Sequence, residues 1–541
     1  MNVSVFASKV RACVRDVRAK EAVHLKGLID RPGVWLGLLP TAVFFIVGLI
    51  ISSDYGVTID EPESVEGSKA YLKIVLSFFS GQSLPAWPFH ELRGYYFPTD
   101  LIRGITAAVV SKALPSINYY RGFHLANLIF SSASLFLIYE IVVLVCSKRR
   151  VALMSAFSLA LMPQFIAHSQ NNPKDLIALF GVALAVWCVL KFCKSDSNNR
   201  VLIGLAGLGW ALTTTPFAFL AVVLMTVWLA IFRPTRFLWR WKNYFFLIAG
   251  GIFVAILFWP WLWDDPISKI YSVLLLPFKF SFNIHEVYMR KIYLVSDLPW
   301  HYVPAHLFSS VPLPMLMGLF LSVGSLLLKK ENEPQLRPLL SLAGMWLMAG
   351  LAISFQSSLK YNAMRHFLFL LPALSVLVGA GFEILMTSWG KKVGISLVVT
   401  FYSFCLIQMI RIHPYEGAFL NGIANSAIRE PSDEVFSLEY FGHAYQEGAR
   451  WLNAHAENGA KIFVPMAASC ANMSLEKKTS PGSLEKFEDS SQPSYLMYIT
   501  RRSRYEDMIR YAESNLKPVF EIRRQKAVLL KIFKNTTGMV R

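Results

Sequence analysis

The sequence predicts a polytopic α-helical membrane protein with a small α/β domain at its C-terminal end. Apolar residues make up 54% of the 541 and charged residues only 16%, where a water-soluble domain carries about 25% charged residues. Mean hydropathy is positive, at +0.43. The basic residues fall in short segments between apolar runs long enough to cross a bilayer. The 40 Phe, 21 Tyr and 14 Trp exclude disorder, and six Cys are too few to staple a chain of this length.

A net charge of +18 raises the possibility of nucleic-acid binding, and its distribution excludes it. Segments 1–32, 147–150, 191–200, 233–242, 329–337 and 388–393 together hold 22 Lys and Arg against six acids, which is +16 of the +18. That bias orients a membrane protein with its positive loops inside. No basic face belongs to a recognisable nucleic-acid module.

The first predicted span is Gly33 to Ile51, preceded by a basic amphipathic segment (1–32) that reads as an uncleaved cytoplasmic anchor. Further spans are predicted near 123–146, 151–168, 174–192, 201–215, 216–232, 243–262, 307–328, 338–355, 367–387 and 392–411. The pair around Thr213-Thr214-Thr215-Pro216 is short, either two tilted spans or a broken, re-entrant pair. Counting two gives about eleven crossings, with the N-terminus inside, the C-terminus outside and every basic cluster cytoplasmic. Glu140 and Glu383 fall within spans near their inner ends, where snorkelling to the surface accounts for them.

Residues 33–411 thus form the membrane module, with outer loops at 52–122 and 263–306, and 412–541 form the outer domain. In that domain the patterning predicts a helix at 443–456, strands at 461–465 and 494–500, a helix at 504–516 and a hairpin over 518–533. Residues 475–493 read as a loop. Cys470 stands alone there, and Cys188 and Cys193 lack zinc-ligand spacing, so no metal site is predicted.

The stretch after the first span, DYGVTIDEPESVEGSKAYL (54–72), places Asp60 and Glu61 side by side at the outer membrane surface. A juxtamembrane helix is predicted from Pro62 to Phe79, since Pro and acids suit a first helical turn. Two roles are open to the acids: cap and first-turn residues of that helix, or a general base whose pKa is raised by partial desolvation. Asp264 and Asp265, before Pro266, read as a helix cap.

This stretch resembles the first outer loop of bacterial membrane glycosyltransferases related to the protein O-mannosyltransferases and the aminoarabinose lipid A transferase. These have the multi-span GT-C fold. MPQFIAHSQNNPKD (162–175), FWPWLWDDP (258–266), SDLPWHYVPAHL (296–307) and YNAMRHFLFLLP (361–372) resemble further family segments in the expected order. Where the aminoarabinose transferases have a Lys-Pro-Pro run, this chain has HELRGYYFPTDL (90–101). The resemblance implies a catalytic aspartate at Asp60 with Glu61 beside it, and a polyprenyl-phosphate-linked sugar as donor.

Such a transfer needs a base for the acceptor hydroxyl, cations for the departing phosphate and an apolar groove for the lipid. Arg365, His366, Lys174, Arg93 and Arg121 are the candidate phosphate-binding residues, and His124 lies near Arg121. Asp297, Trp300 and His301 are candidates for an acceptor or sugar pocket. The expected partners are the bilayer, the lipid-linked donor and an envelope glycan, lipid or protein acceptor, in a bacterial inner membrane. No cofactor is predicted with certainty, and a divalent metal is left open. The alternatives are a multi-span transporter or flippase of a lipid-linked or envelope substrate, and a non-catalytic assembly subunit.

Overall fold

The computed structural model describes residues 33–83, 97–193, 198–263, 265–279, 283–328, 334–356, 359–428, 432–476, 480–481, 487 and 493–535. Among them, seven helices are long and apolar enough to cross a membrane. They are the helices around Val34–Asp54, Tyr119–Cys146, Asp175–Cys193, Trp241–Phe258, Pro334–Phe355, Arg365–Ser388 and Lys391–Ile412. Two bent pairs bring the total to nine. Arg149–Ala160 and Pro163–Asn171 meet at 66°, and Tyr302–Ser310 and Leu313–Leu327 at 117°. Proline near each break, Pro163 and Pro312, explains it, since proline cannot donate the hydrogen bond that would continue the helix.

The short pair expected at 201–232 forms two helices, Asn198–Thr214 and Phe217–Phe232, parted at Thr215-Pro216. Eleven crossings require both to be crossings as well.

Helix Leu371–Ser388 lies at the centre, buried on nearly all sides. Close approach makes this possible: a Cβ at Gly381 would come within 1.8 Å of the Gly318 carbonyl oxygen on Leu313–Leu327. Small residues bring membrane helices this near, so that dispersion replaces the hydrophobic drive absent in lipid. The two acids within spans are paired with bases: Glu140 with Lys191 at 3.1 Å, and the fully buried Glu383 with Arg150 at 3.0 Å.

The juxtamembrane helix runs Glu61–Phe79 and buries Val65, Tyr71 and Ile74 on one face. Phe97–Ala113 follows, anchored by Arg103, whose buried guanidinium reaches Asp100 and the Pro173 carbonyl and lies 4.5 Å over the Phe123 ring. A two-stranded hairpin, β1 (His285–Tyr288) and β2 (Lys291–Leu294), stands in the later loop.

Among the described residues of the C-terminal part, five strands form a mixed sheet. These are β3 (Lys461–Phe463), β4 (Ser480–Pro481), β5 (Ser494–Ile499), β6 (Pro518–Arg524) and β7 (Ala527–Asn535), in the order β4-β3-β5-β7-β6. β3 pairs in parallel with β4 and β5, while β7 is antiparallel to β5 and β6. β5 is buried along its whole length. Helix Tyr445–His455 packs on this sheet, with Gly448 against Met497 and Leu530.

Candidate active site

Asp60 stands at the N-terminus of helix Glu61–Phe79, yet its side chain makes no capping hydrogen bond. Instead Oδ2 accepts from Arg365 Nη1 at 2.8 Å, and Oδ1 lies 3.6 Å from Lys174 Nζ. Arg365 is 8% exposed, Asp60 17% and Lys174 26%, so the cluster is largely withdrawn from water while open on one side.

Three chain segments meet here. Asp60 follows the first span, Lys174 precedes helix Asp175–Cys193, and Arg365 begins the short turn into Leu371–Ser388. Arg365 is aimed by a strained turn: Asn362 and Ala363 both take left-handed backbone angles, φ 55° and 56°. Strain of this kind persists only where the surroundings hold it. Asn362 N donates to Glu286 Oε2 at 2.9 Å, Ala363 N to the Tyr302 hydroxyl at 3.0 Å, and Arg501 donates to Asn362 Oδ1 at 2.6 Å.

Asp175 completes the cluster, 3.8 Å from Arg365 Nε and 3.0 Å from His366 Nδ1. Arg365 Nε also donates to His366 Nε2 at 3.1 Å. A ring nitrogen that accepts carries no proton, so His366 is the Nδ1–H tautomer donating to Asp175. Both its nitrogens are engaged, and it positions Arg365 rather than offering a free charge. Asn172 donates to Asp175 Oδ2 at 3.0 Å.

Burial alone would raise the pKa of Asp60. The charges of Lys174 and Arg365 outweigh it and hold the carboxyl below its ordinary value. The sequence-based expectation of a raised pKa is therefore corrected: the desolvation is present, but two cations overcompensate it.

The structure separates the Asp60–Glu61 pair. Glu61 is fully buried and faces the other way: its Oε2 accepts from Thr58 N at 2.7 Å and its Oε1 lies 2.7 Å from His124 Nε2. It fixes the chain entering the helix and does not share the Asp60 pocket.

Of the other predicted residues, Lys174 and Arg365 join Asp60, and His366 stands behind them. Arg121 is exposed in the first turn of Tyr119–Cys146, its backbone N–H donating to the Asn118 side chain. Asp297 accepts from Ser296, Trp300 is exposed against Phe355, and His301 Nδ1 lies 2.6 Å from the Tyr288 hydroxyl. None of these three joins the cluster; their neighbour Leu298 reaches the segment before Arg365, its carbonyl accepting from Lys360 Nζ at 3.0 Å. Arg93 and Asp264 lie outside the described residues, while Asp265 accepts from Ser268 N as the expected cap.

Sequence reasoning missed the far side of the pocket, which comes from residues 439–443. Ile59 N donates to the Phe441 carbonyl, the Phe441 ring lies 4.9 Å from the Arg365 guanidinium carbon, and Tyr440 meets His168 at 3.3 Å. Glu439 turns this segment by accepting from Gly442 N and His443 N at 2.7 and 2.9 Å, and burial pushes its carboxyl up to about 7 despite these bonds. Only the acid three residues before Gly442, a turn signal, could have pointed to it.

An apolar groove of about 730 Å³ runs between helices Val34–Ile51 and Lys391–Ile412. At one end of it His413 bridges Glu416 at 2.7 Å and Asp54 at 3.1 Å. Among the described residues, no group of three or more potential ligands stands close enough to hold a metal ion.

Helical bundle, juxtamembrane helix and charged cluster at the span ends define the class. By the length and apolar composition of its helices this is a polytopic α-helical membrane protein, as read from the sequence. Residues 118–263, about a quarter of the chain, match the family model described as dolichyl-phosphate-mannose-protein mannosyltransferase. That stretch contains Lys174 and Asp175. Over that stretch the chain is similar to this mannosyltransferase family.

Solved structures show likenesses at low identity. ArnT from Cupriavidus metallidurans bound to undecaprenyl phosphate is 14% identical, with TM-score 0.45 over 92% of this chain and 97% of that one. The oligosaccharyltransferase AglB from Archaeoglobus fulgidus is 10% identical, with TM-score 0.43 over 94% and 75%. The arabinofuranosyltransferase AftD from Mycobacteria is 12% identical, with TM-score 0.43 over 91% and 39%. Among curated proteins none matches.

Proposed function

We propose that this chain is a glycosyltransferase that moves a sugar from a polyprenyl-phosphate donor to an acceptor hydroxyl at the outer face of a bacterial inner membrane. The observation that carries the reading is Asp60, an uncapped carboxylate held between Arg365 and Lys174 at the ends of three chain segments. A residue needed only to start a helix would spend its oxygens on the helix N–H groups. Asp60 spends them on cations.

The acceptor oxygen attacks the anomeric carbon, and its proton passes to Asp60. The bond from that carbon to the phosphate oxygen breaks, and its electron pair leaves with the phosphate, onto Arg365 and Lys174. Phosphate is a weak base, so no general acid is required. Direct attack inverts the anomeric centre. A retaining route needs a second carboxylate about 5 Å across the sugar, and Glu61 is committed to Thr58 and His124.

The low pKa of Asp60 makes the free enzyme a poor base. A donor phosphate competes for the same two cations, and as they turn to it the carboxylate loses the charges that depress it. Base strength then rises when donor is bound. The apolar groove supplies lipid-facing surface, but Glu416 and Asp54 at its end repel phosphate, so the phosphate belongs at Lys174 and Arg365.

The transporter alternative calls for charges at mid-span, and among the described residues the acids Glu140 and Glu383 are neutralised by Lys191 and Arg150. Mass spectrometry of lipids from cells lacking the chain tests the proposal. A polyprenyl-linked sugar should accumulate, and its return to normal on adding back the Asp60→Asn form would overturn the assignment.

A further inference from the structure

A second cavity, of about 470 Å³, lies beside the Asp60 pocket and is lined in part by Ile59, His285, Tyr440, Arg501, Ser503 and Tyr505. Its walls come from the loop before the juxtamembrane helix, the segment entering β1, residues 439–443 and the loop after β5. None of its lining residues belongs to a helix long enough to cross a membrane. An occupant therefore arrives from water rather than from lipid.

The lining is polar in an unusual way. Arg501 is 6% exposed, and its Nη2 serves Asn362 at 2.6 Å and faces Glu286 at 3.8 Å, while its Nε has no hydrogen-bond partner. The Ser503 and Tyr505 hydroxyls are also buried without partners. Each such atom costs about 1–3 kcal/mol when nothing satisfies it, and three among the residues of one cavity suit it to a polar occupant.

The chemistry of the lining describes that ligand. One guanidinium N–H donates, two hydroxyls donate or accept, and the Tyr440 and Tyr505 rings with Ile59, Met466 and Ile499 offer flat and apolar faces. Alternating hydroxyl edges and C–H faces are the surface of a sugar ring. The charges nearly cancel, Arg501 against Glu286 and Arg504 against Glu506, so a net charge on the ligand is not required.

We infer that this cavity is an acceptor subsite, built jointly by the C-terminal sheet domain and the loop carrying Asp60, and that the acceptor it takes is a glycan. The inference rests on the transferase reading. It assigns the C-terminal domain to acceptor selection, and Arg501 to both the subsite and the Asn362 turn that aims Arg365.

The test uses the full chain in lipid nanodiscs and saturation-transfer NMR with three trisaccharide probes: maltotriose, chitotriose and trigalacturonic acid. At least one should receive saturation from the wild-type chain. Tyr505→Phe, which removes a single hydroxyl, should weaken it about tenfold, and Ser503→Trp, which fills the cavity, should abolish it. Undecaprenyl phosphate binding should be unchanged in both variants, a control for folding.

No saturation of any probe, or saturation unaffected by Ser503→Trp, overturns the subsite. Displacement of the bound sugar by a Ser/Thr-rich peptide but not by a second trisaccharide overturns the glycan assignment. Failure of the transferase reading looks different: sugar binding would persist while Asp60→Asn cells kept a normal lipid-linked sugar pool.

Discussion

Replacing Asp60 by Asn separates the proposed chemistry from structure. The change removes a charge that touches Arg365 at 2.8 Å and Lys174 at 3.6 Å. Neither cation is stranded, because Arg365 keeps Asp175 at 3.8 Å and Lys174 keeps Glu63 at 3.2 Å. The loss of stability should therefore fall short of the roughly 3–5 kcal/mol paid when a buried pair loses its only partner. Turnover should fall by about 10²–10⁴, the usual worth of a positioned general base, or about 3–5 kcal/mol of barrier. Affinity for undecaprenyl phosphate should hold or tighten, since Asn no longer competes for the cations. Three measurements on one variant read this out: lipid-linked sugar in complemented cells, phosphate binding by the purified chain, and its thermal midpoint. Wild-type turnover, or binding weakened in step with turnover, would refute the role given to Asp60.

The remaining expectations concern its neighbours. Lys174→Ala and Arg365→Ala should each weaken undecaprenyl phosphate binding by about tenfold or more, whereas Glu63→Gln, by freeing Lys174, should tighten it severalfold in calorimetry. Glu61→Ala should act on stability, lowering the thermal midpoint by an amount matching about 2–4 kcal/mol, because Thr58 N and His124 lose a buried acceptor; a variant equally stable but inactive would restore Glu61 to the chemistry. Glu439 has a folded pKa of about 7 against an ordinary 4.5. A pKa raised by folding stabilises fully below the unfolded value and is lost as pH rises through the folded one. Wild type should thus lose at most about 3 kcal/mol between pH 4.5 and 7 relative to Glu439→Gln. The His443 imidazole, pushed by burial down to about 4, works the other way and is present in both proteins. Equal slopes in the two proteins would remove Glu439 from the pH response.

Hydropathy located the long helices because lipid demands a continuous apolar run, and the juxtamembrane helix because Pro62 and its acids announce a first turn. Lys174 and Arg365 were legible for a related reason: a cation at the end of an apolar run has little choice of depth. Asp175 was not, since an acid opening a helix reads as a cap and nothing local shows that it faces a residue 191 positions away. Nor could spacing reveal that Glu61 turns from Asp60. Successive helical residues point about 100° apart, so adjacent carboxylates cannot serve one pocket, but which of them does so depends on where His124 and Arg365 lie. Residues 439–443 escaped for want of any periodicity. Their partners are Ile59, His168 and Arg365, gathered from three distant segments.

These distant contacts bear on how base strength is set. Arg365 approaches Asp60 from a turn with two left-handed residues, and that turn is held from the hairpin side by Glu286 and from the C-terminal domain by Arg501. The same Arg501 lines the cavity beside Ile59. A ligand drawing on the Arg501 guanidinium would change its hold on Asn362, and with it the position of the cation that holds Asp60 ionised. On the proposed reading, donor phosphate and acceptor would thus act on one carboxylate from opposite sides, the first by removing its counter-charges and the second through the turn that carries one of them. A base controlled in this way would be strongest with both substrates present, which would favour transfer to the acceptor over transfer to water.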